Sequence, residues 1–336
     1  MEKIRVVQIS ESDFSVQGHG VHTAFVETLN GLSKRADVVV SKNNFQAADI
    51  RHIHTVGPYS LAQILFASGK KVVSAHVIPE SFVGSLRGAK YWFWLAKIYL
   101  RFFYNRAALV IAVSDNTKDD LVKLGVKKPI EVIYNMIDTS KYRVSADQRK
   151  SWRDELGFGD SFVVVGNGQV QPRKRVDTFM RVARELPDMK FIWVGGMPFG
   201  HAGDDYREMH KLMTDTPSNV TVTGVVPLDE VRKYFAAADA FMMPSVQETF
   251  GLAIVEAAAS GLPVILRDIH DYDRTFRADA AICREDDFVA TLKRLSGDNE
   301  YYATMKKHAL TLAARYDSEQ ITARLVAAYR SLVTEK

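Results

Sequence analysis

The chain has 336 residues, 44 Lys plus Arg against 40 Asp plus Glu, a formal net charge of +4, 47% hydrophobic and 25% charged residues. This is the make-up of a soluble globular protein, and the length suits two domains of about 150 residues each. No apolar run reaches the roughly 18 residues of a spanning helix, and Met1-Glu-Lys leads straight into a strand pattern, so neither a membrane span nor a signal peptide is expected. A single cysteine, Cys283, excludes a disulfide framework and fits a reducing compartment; its Ala-Ala-Ile-Cys context points to core packing.

The first half alternates strand-like runs (4–10, 37–41, 51–56, 71–77, 108–114 and 130–134) with helical patterns (21–34, 60–69, 88–106 and 116–125). Such alternation predicts a parallel sheet covered by helices on both faces. Ligands in that architecture sit at the carboxyl ends of strands, so the loops there carry most interest. After the first run comes Gln17-Gly-His-Gly-Val-His22, where Gly18 and Gly20 permit close backbone approach to a ligand. A tight turn explains the pair equally, and Thr23 in place of a third glycine excludes the dinucleotide fingerprint. His76 ends a strand and is a better candidate for substrate contact than His52 or His54, which lie within one; the alternative is a structural histidine.

The segment 88–106 is dense in aromatic and basic residues. At about 100° per residue, Arg87, Lys90, Trp94, Lys97, Arg101 and Tyr104 fall on one stripe about 100° wide. The remaining circumference, Trp92 included, is almost wholly aromatic or aliphatic. A basic stripe flanked by aromatics fits a helix lying in an anionic membrane interface. The alternative is a sheet-covering helix with snorkelling cations. Residues 139–159, rich in charge and turn formers, read as an interdomain connection.

A second alternation follows, with strand-like runs at 162–166, 190–195, 219–224, 240–243 and 263–267. Arg173, Lys174 and Arg175 cluster between the first run and its helix, which suggests phosphate binding; a solvated loop is the alternative, and three cations are too few for a nucleic-acid stripe. The loop 195–200 is placed to close over a ligand, and the backbone of Val225 and Val226 is placed to meet a flat base. Beyond Pro244, Glu248 and Glu256 stand eight positions apart. On a helix starting near Phe250 they would be separated by roughly 12 Å at about 1.5 Å per residue. That is too far to share a proton, but it suits two grips on one long ligand whose charged middle meets the helix N-terminus. Two ordinary glutamates are the alternative. Together these parts would bind a nucleoside diphosphate between the domains; no Walker A sequence, metal-ligand spacing or Ser–His–Asp arrangement is readable.

The blocks Gly168-Gln-Val-Gln-Pro-Arg-Lys174-Arg-Val-Asp177, Gly224-Val-Val-Pro, Glu248-Thr-Phe-Gly-Leu-Ala-Ile-Val-Glu256-Ala and Gly261-Leu-Pro-Val, with Asn135–Asp138 and Val113-Ser114, resemble the retaining GT-B glycosyltransferases of family 4. The resemblance implies an α/β fold of two Rossmann-like, doubly wound parallel-sheet domains facing a central cleft. Residues 1–138, with the closing helix 318–336 packing back, would form the acceptor side, and 139–317 the nucleotide-sugar side. It further implies Lys174 on the donor diphosphate, Glu248 with Thr249, Phe250, Gly251 and Leu252 on the sugar and phosphate, Glu256 on the ribose, and His76 beside the sugar. The Gly18–Gly20 loop would face the diphosphate. Many members carry Arg where this chain has Gln169, so Arg173 or Arg175 is the candidate second phosphate cation.

Within the family, the Gly-His-Gly-Val-His loop, the stretch 74–80 and the basic aromatic helix resemble bacterial enzymes acting on diacylglycerol or monoglycosyl-diacylglycerol. The expected reaction moves a hexose from UDP-glucose or UDP-galactose with retention, without metal or cofactor, at the cytoplasmic face of a membrane. A soluble or polyprenyl-linked acceptor, a GT-B nucleotide-sugar epimerase and a non-catalytic nucleotide-sugar-binding partner are the alternatives.

Overall fold

Short runs of Val, Ile and Ala at period two, separated by amphipathic segments, become two six-stranded parallel sheets in the computed structural model, which describes residues 3–14, 20–82, 88–197 and 205–334. In chain order the elements are β1 (Ile4–Ile9), α1 (Gly20–Ser33), β2 (Val38–Lys42), β3 (Ile50–Ile53), α2 (Pro58–Phe66), β4 (Lys70–Ala75), α3 (Ala89–Tyr104), β5 (Leu109–Ala112), α4 (Asp115–Leu124) and β6 (Ile130–Val132). They continue with α5 (Ala146–Glu155), β7 (Val163–Asn167), α6 (Val176–Glu185), β8 (Lys190–Val194), α7 (Tyr206–Thr214), β9 (Val220–Val222), α8 (Leu228–Ala237), β10 (Ala240–Met243), α9 (Leu252–Ala259), β11 (Val264–Arg267), β12 (Ala281–Cys283), α10 (Asp287–Gly297), α11 (Asn299–Ala314) and α12 (Ser318–Thr334).

The chain divides into two compact units, one formed by the described parts of 3–82, 88–138 and 316–334, the other by those of 139–315. In the first the strand order is β2-β1-β3-β4-β5-β6, and in the second β12-β11-β10-β7-β8-β9. Winding therefore reverses between β1 and β3 in one sheet and between β7 and β10 in the other, and such switch points are where this architecture opens a crevice at the strand ends.

Parity along each strand sets the two faces of the first sheet. Ile4, Val6, Ile50 and Val72 point into the core that α12 closes with Ile321, Leu325, Val326 and Tyr329. Val7, Ile9, Ile53 and Val73 point into the opposite core with Leu100, Phe103 and Tyr104 of α3. The same parity carries the polar residues Gln8, His52 and Ser74 onto the α12 side, because Gln8 pairs with His52 in the β1–β3 ladder.

Residues 139–159 are not merely a connection. Ser145 caps α5, its side chain accepting from the Gln148 N–H, and Arg149 and Arg153 of that helix grip the end of α8. Both bond Asp239 Oδ atoms, at 2.6 and 3.0 Å, and Arg153 also bonds the Ala237 carbonyl at 2.8 Å. The helical charge pattern had been hidden by the turn formers on either side. Cys283 is buried at the end of β12, its thiol 3.2 Å from the Thr291 hydroxyl.

Beyond β12, Glu285 ties three elements. It accepts from Thr178 of α6 at 2.7 Å, pairs with Arg267 of β11, and lies 3.4 Å from Arg181. Burial opposes its charge, but the bonds from Arg267 and Thr178 win and hold the carboxyl down at about 2. A carboxyl depressed in the folded state stabilises above its unfolded value and loses that contribution as pH falls through the folded one. The Glu285→Gln protein is therefore expected to lose less of its thermal midpoint than the wild type between pH 4.5 and about 2. For a partly exposed pair worth at most about 1 kcal/mol, the difference should be about 2–4 °C by scanning calorimetry.

Candidate active site

The switch point of the second sheet is flanked by the loops after β7 and β10, and these loops carry the cation cluster and Glu248. Pro172 opens a single 3-10 turn, Pro172–Lys174, and Arg175 in the left-handed region (φ 50°) passes the chain into α6. Pro244 ends β10, and the Val246 N–H donates to the Arg173 carbonyl at 2.9 Å, stitching the loops together. Across this junction the buried Lys174 Nζ meets Glu248 Oε1 at 2.5 Å, while Arg173 Nη1 lies 3.7 Å from Glu248 Oε2. A third loop, after β11, supplies Asp271, whose carboxylate accepts from the Glu248 N–H at 2.7 Å.

Burial works against both charges of this pair. For Glu248 it is outweighed by Lys174 and Arg173, and the carboxyl sits below its ordinary range. For Lys174 burial is the larger influence and pulls the ammonium below the usual lysine value, with Glu248 restoring part. Arg175, one of the two candidates for the second phosphate cation, is engaged elsewhere: it bonds Asp177 at 2.8 Å and lies 3.7 Å from Glu285. Arg173 alone of the two stands beside Lys174, donating to the Gln247 carbonyl at 3.2 Å. Gln169 is buried at the same loop, its Oε1 accepting from Gln171 at 2.5 Å. Its Nε2, the Gln247 Oε1 and the Tyr272 hydroxyl are buried without a hydrogen-bond partner among the described residues, the signature of a site that a polar ligand completes.

The helix after this loop starts at Leu252, not near Phe250, because Gly251 takes φ 94° and a side chain there would come within 2.8 Å of Ile254 Cδ1. Glu248 thus lies in the loop, and the expected separation along a helix axis does not apply. Glu256 lies on the buried face of α9 and accepts from the Tyr142 hydroxyl at 3.0 Å. The first turn of α9 carries no acidic side chain, and Gly251 provides no side-chain cap, so this end favours an anion. Phe250 is buried edge-on against Phe276, with centroids 5.5 Å apart, next to Thr249.

Backbone rather than side chains forms the rest of the rim. Gly195 bridges Gly224, and at φ 136° it packs so closely that an added Cβ would fall 2.1 Å from the Gly168 carbonyl oxygen. The Val170 N–H donates to the Gly196 carbonyl at 2.8 Å. The strand ends of β7, β8 and β9 are thereby fused, with Val225 exposed and Val226 half-buried at the edge. Residues 198–200 of the predicted closing loop lie outside the described residues.

In the first unit, Gly20 opens α1, and a side chain there would meet no atom of the described residues within 4 Å, while Gly18 lies outside the described residues. His76 follows β4 and stacks on His54, ring centroids 5.3 Å apart. The stripe expected on α3 is corrected at Tyr104. Tyr104 is buried and donates its hydroxyl to the Val77 carbonyl, because it shares the sheet-facing side with Ala96, Leu100 and Phe103. Trp92 is half-buried against Phe82. The exposed arc instead holds Lys90, Trp94, Lys97 and Arg101 beside a second, apolar line of Tyr91, Leu95, Ile98 and Phe102; Tyr91 is 76%, and Trp94 and Ile98 each 60%, exposed. Arg87 lies outside the described residues.

Sequence reading missed Asp271, Tyr272 and Tyr142. Asp271 and Tyr272 sit in a charged turn, Asp268-Ile-His-Asp-Tyr-Asp, whose spacing matches no site pattern, and Tyr142 sits in the apparent connection. Among the described residues, no group of three or more His, Cys, Asp or Glu is placed to hold a metal ion.

Residues 159–298 match the family model described as Glycosyl transferases group 1, and residues 18–141 match Glycosyltransferase Family 4. The chain is 33% identical over 331 residues to alpha-galactosylglucosyldiacylglycerol synthase of Streptococcus pneumoniae, covering 95% of this chain and 87% of that protein. It is 29% identical over 206 residues, 60% of each chain, to processive diacylglycerol alpha-glucosyltransferase of Acholeplasma laidlawii. Among solved structures, Anabaena HepE in complex with UDP-glucose superposes with TM-score 0.79 at 19% identity, covering 98% of this chain and 100% of that one. Sucrose-phosphate synthase of Thermosynechococcus elongatus superposes with TM-score 0.81 at 16% identity, covering 99% and 100%. The two switch-point sheets and this likeness along nearly the whole chain lead to one conclusion: the protein belongs to the family 4 glycosyltransferases and has their GT-B fold.

Proposed function

We propose that the protein transfers a hexosyl group, with retention, from UDP-glucose or UDP-galactose to diacylglycerol or a monoglycosyl-diacylglycerol at a membrane surface. The observation that carries this reading is the convergence of Lys174, Arg173 and Glu248 with the α9 N-terminus at one switch point. It gives two cations and a helix end for a diphosphate, and a buried carboxylate for a sugar hydroxyl. The unpartnered Gln169 amide adds a neutral donor where an arginine would have added charge. Glu256 takes the ribose, the Val225–Val226 backbone meets the base, and His76 contacts the transferred sugar. Charge grows on the leaving diphosphate as the glycosidic bond breaks, and Lys174 with the α9 amides opposes it. The acceptor hydroxyl attacks from the same face and gives its proton to the departing phosphate oxygen, so the protein's task is chiefly positioning. No metal or cofactor is assigned a role.

A lipid acceptor is supported by the activities for which the two relatives are named and by the exposed face of α3. Cations attract an anionic surface at about 1 kcal/mol each, and the adjoining Tyr91, Trp94, Ile98 and Phe102 can enter the interface. No helix among the described residues is long and apolar enough to cross a membrane; in this reading α3 lies on the bilayer, at its cytoplasmic face. A soluble acceptor remains the second reading. The epimerase reading draws no support from relatives named as a synthase and a glucosyltransferase.

Lys174→Ala and Glu248→Ala are each expected to lower turnover at least tenfold, about 1.4 kcal/mol of barrier; near-normal steady-state rates in both would reject the donor site. A Lys97→Glu, Arg101→Glu double variant should float with anionic vesicles at least tenfold less, since about 2 kcal/mol of attraction is removed. Unchanged flotation and lipid glycosylation would reject the role of α3. Incubation with UDP-hexoses, with and without diacylglycerol, should give a glycolipid only with the lipid; transfer to a water-soluble acceptor alone would favour the second reading, and a changed nucleotide sugar would favour the epimerase.

A further inference from the structure

At the carboxyl ends of β1, β3 and β4, strand parity brings Gln8, His52, His54, Ser74 and His76 to one face, under Tyr329 of α12. All are buried, and all are joined. His76 Nε2 lies 3.1 Å from His54 Nδ1, and His54 Nε2 lies 2.6 Å from Gln8 Oε1. Gln8 Nε2 lies 3.3 Å from both the Tyr329 oxygen and His52 Nδ1, which are themselves 2.6 Å apart, and His52 Nε2 lies 2.7 Å from Ser74 Oγ. Phe25 of α1 closes the cluster edge-on to His54, with centroids 5.7 Å apart.

A neutral imidazole has one N–H and one lone pair, so each bond fixes the direction of the next. Burial, followed by the charge His76 would carry, pulls His52 down to about 3; burial, followed by His52 and His76, takes His54 well below its ordinary value. No carboxylate contributes to either shift. Hydrogen-bond partners alone would allow the chain to run either way, with the Gln8 amide turned over. Tyr329 decides between them, because a phenol is a far better donor than acceptor and its 2.6 Å bond to His52 is that of O–H to imidazole nitrogen. With that proton committed, the Tyr329 oxygen accepts from the Gln8 NH2 group, which turns Gln8 Oε1 towards His54. His54 must then donate from Nε2 and accept at Nδ1.

We infer that Tyr329 and Gln8, acting through His54, hold His76 with its proton on Nε2 and its lone pair on Nδ1, so that His76 meets a substrate hydroxyl as an acceptor. Tyr329 and Gln8 are thus positioning residues for His76, placed on the last helix and the first strand. The tautomer assignment stands on this unit alone; only its effect on turnover rests on the proposed contact between His76 and the donor sugar.

The test is nitrogen-resolved NMR of 15N-histidine-labelled protein at pH 8, above the ordinary histidine value of about 6.5. The expected result is His76 protonated on Nε2 and bare on Nδ1; a proton on Nδ1 overturns the inference. Tyr329→Phe keeps the ring and removes the hydroxyl, so His76 should populate both tautomers; an unchanged single tautomer overturns the role of Tyr329. In Gln8→Glu the introduced anion should hold His54 as a cation donating from both nitrogens, which forces His76 to carry its proton on Nδ1. With UDP-hexose, kcat of that variant should fall at least tenfold while calorimetric affinity for UDP alone stays within twofold. A reversed tautomer with unchanged kcat overturns the positioning role. If the wild type turns over no UDP-hexose, the proposed function fails while the tautomer result stands.

Discussion

The second unit is organised by the burial of Lys174 against Glu248. Each ion alone would pay several kcal/mol of desolvation in that place, and the pair is tolerated only because the remaining valences are met. Arg173 flanks the carboxylate, Asp271 takes the Glu248 N–H, and the Val246 N–H ties one loop to the other. Three loops from β7, β10 and β11 are therefore tied to a single point, and that point is the switch of the sheet. Reversal of the winding there leaves the strand ends without a covering helix, so polar groups gather where a ligand has room to enter.

Glycine geometry does the complementary work on the other side of β7. Gly195 and Gly196 allow the backbones after β7, β8 and β9 to touch, so the rim is made of peptide groups that no side chain can shift. The buried, unpartnered Gln169 Nε2 and Tyr272 hydroxyl lie within a unit whose other buried polar groups are largely satisfied. A phenol pushed well above its ordinary pKa, by burial and then by the charges of Glu248 and Asp271, stays protonated and remains a donor. Of the two arginines flanking Lys174, Arg175 is engaged by Asp177 and Glu285, and Arg173 lies 3.7 Å from Glu248.

The first unit shows how the same strand period yields two kinds of surface. On the α3 side it buries Leu100, Phe103 and Tyr104, leaving a wide arc of basic and apolar side chains turned away from the sheet. On the α12 side the alternation that packs Ile4, Val6, Ile50 and Val72 continues into Gln8, His52 and Ser74, so a hydrophobic core grades into a polar chain towards the strand ends. Tyr329 belongs to both, with its ring in the core and its hydroxyl in the chain.

Strand and helix order, the Pro172–Lys174 turn, the break at Pro244 and the family blocks were legible in the sequence, because period, turn chemistry and local spacing are properties of neighbouring residues. The resemblance singled out Lys174, Glu248 and Glu256, of which the structure joins the first two. The start of α9 was misplaced by two residues because Gly251 acts there through a positive φ rather than a side chain. The helix α5 was read as connection because its support comes from Asp239, some ninety positions away. Residues such as Asp271, Tyr142 and Tyr329 carry no local signal at all. The sequence by itself determined which segments form strands and helices and which short blocks could hold a charged ligand. Only the tertiary structure decided which cation faces Glu248, which face of α3 is left uncovered and which way the histidine chain runs, because those depend on through-space pairing between strands and helices far apart in the chain.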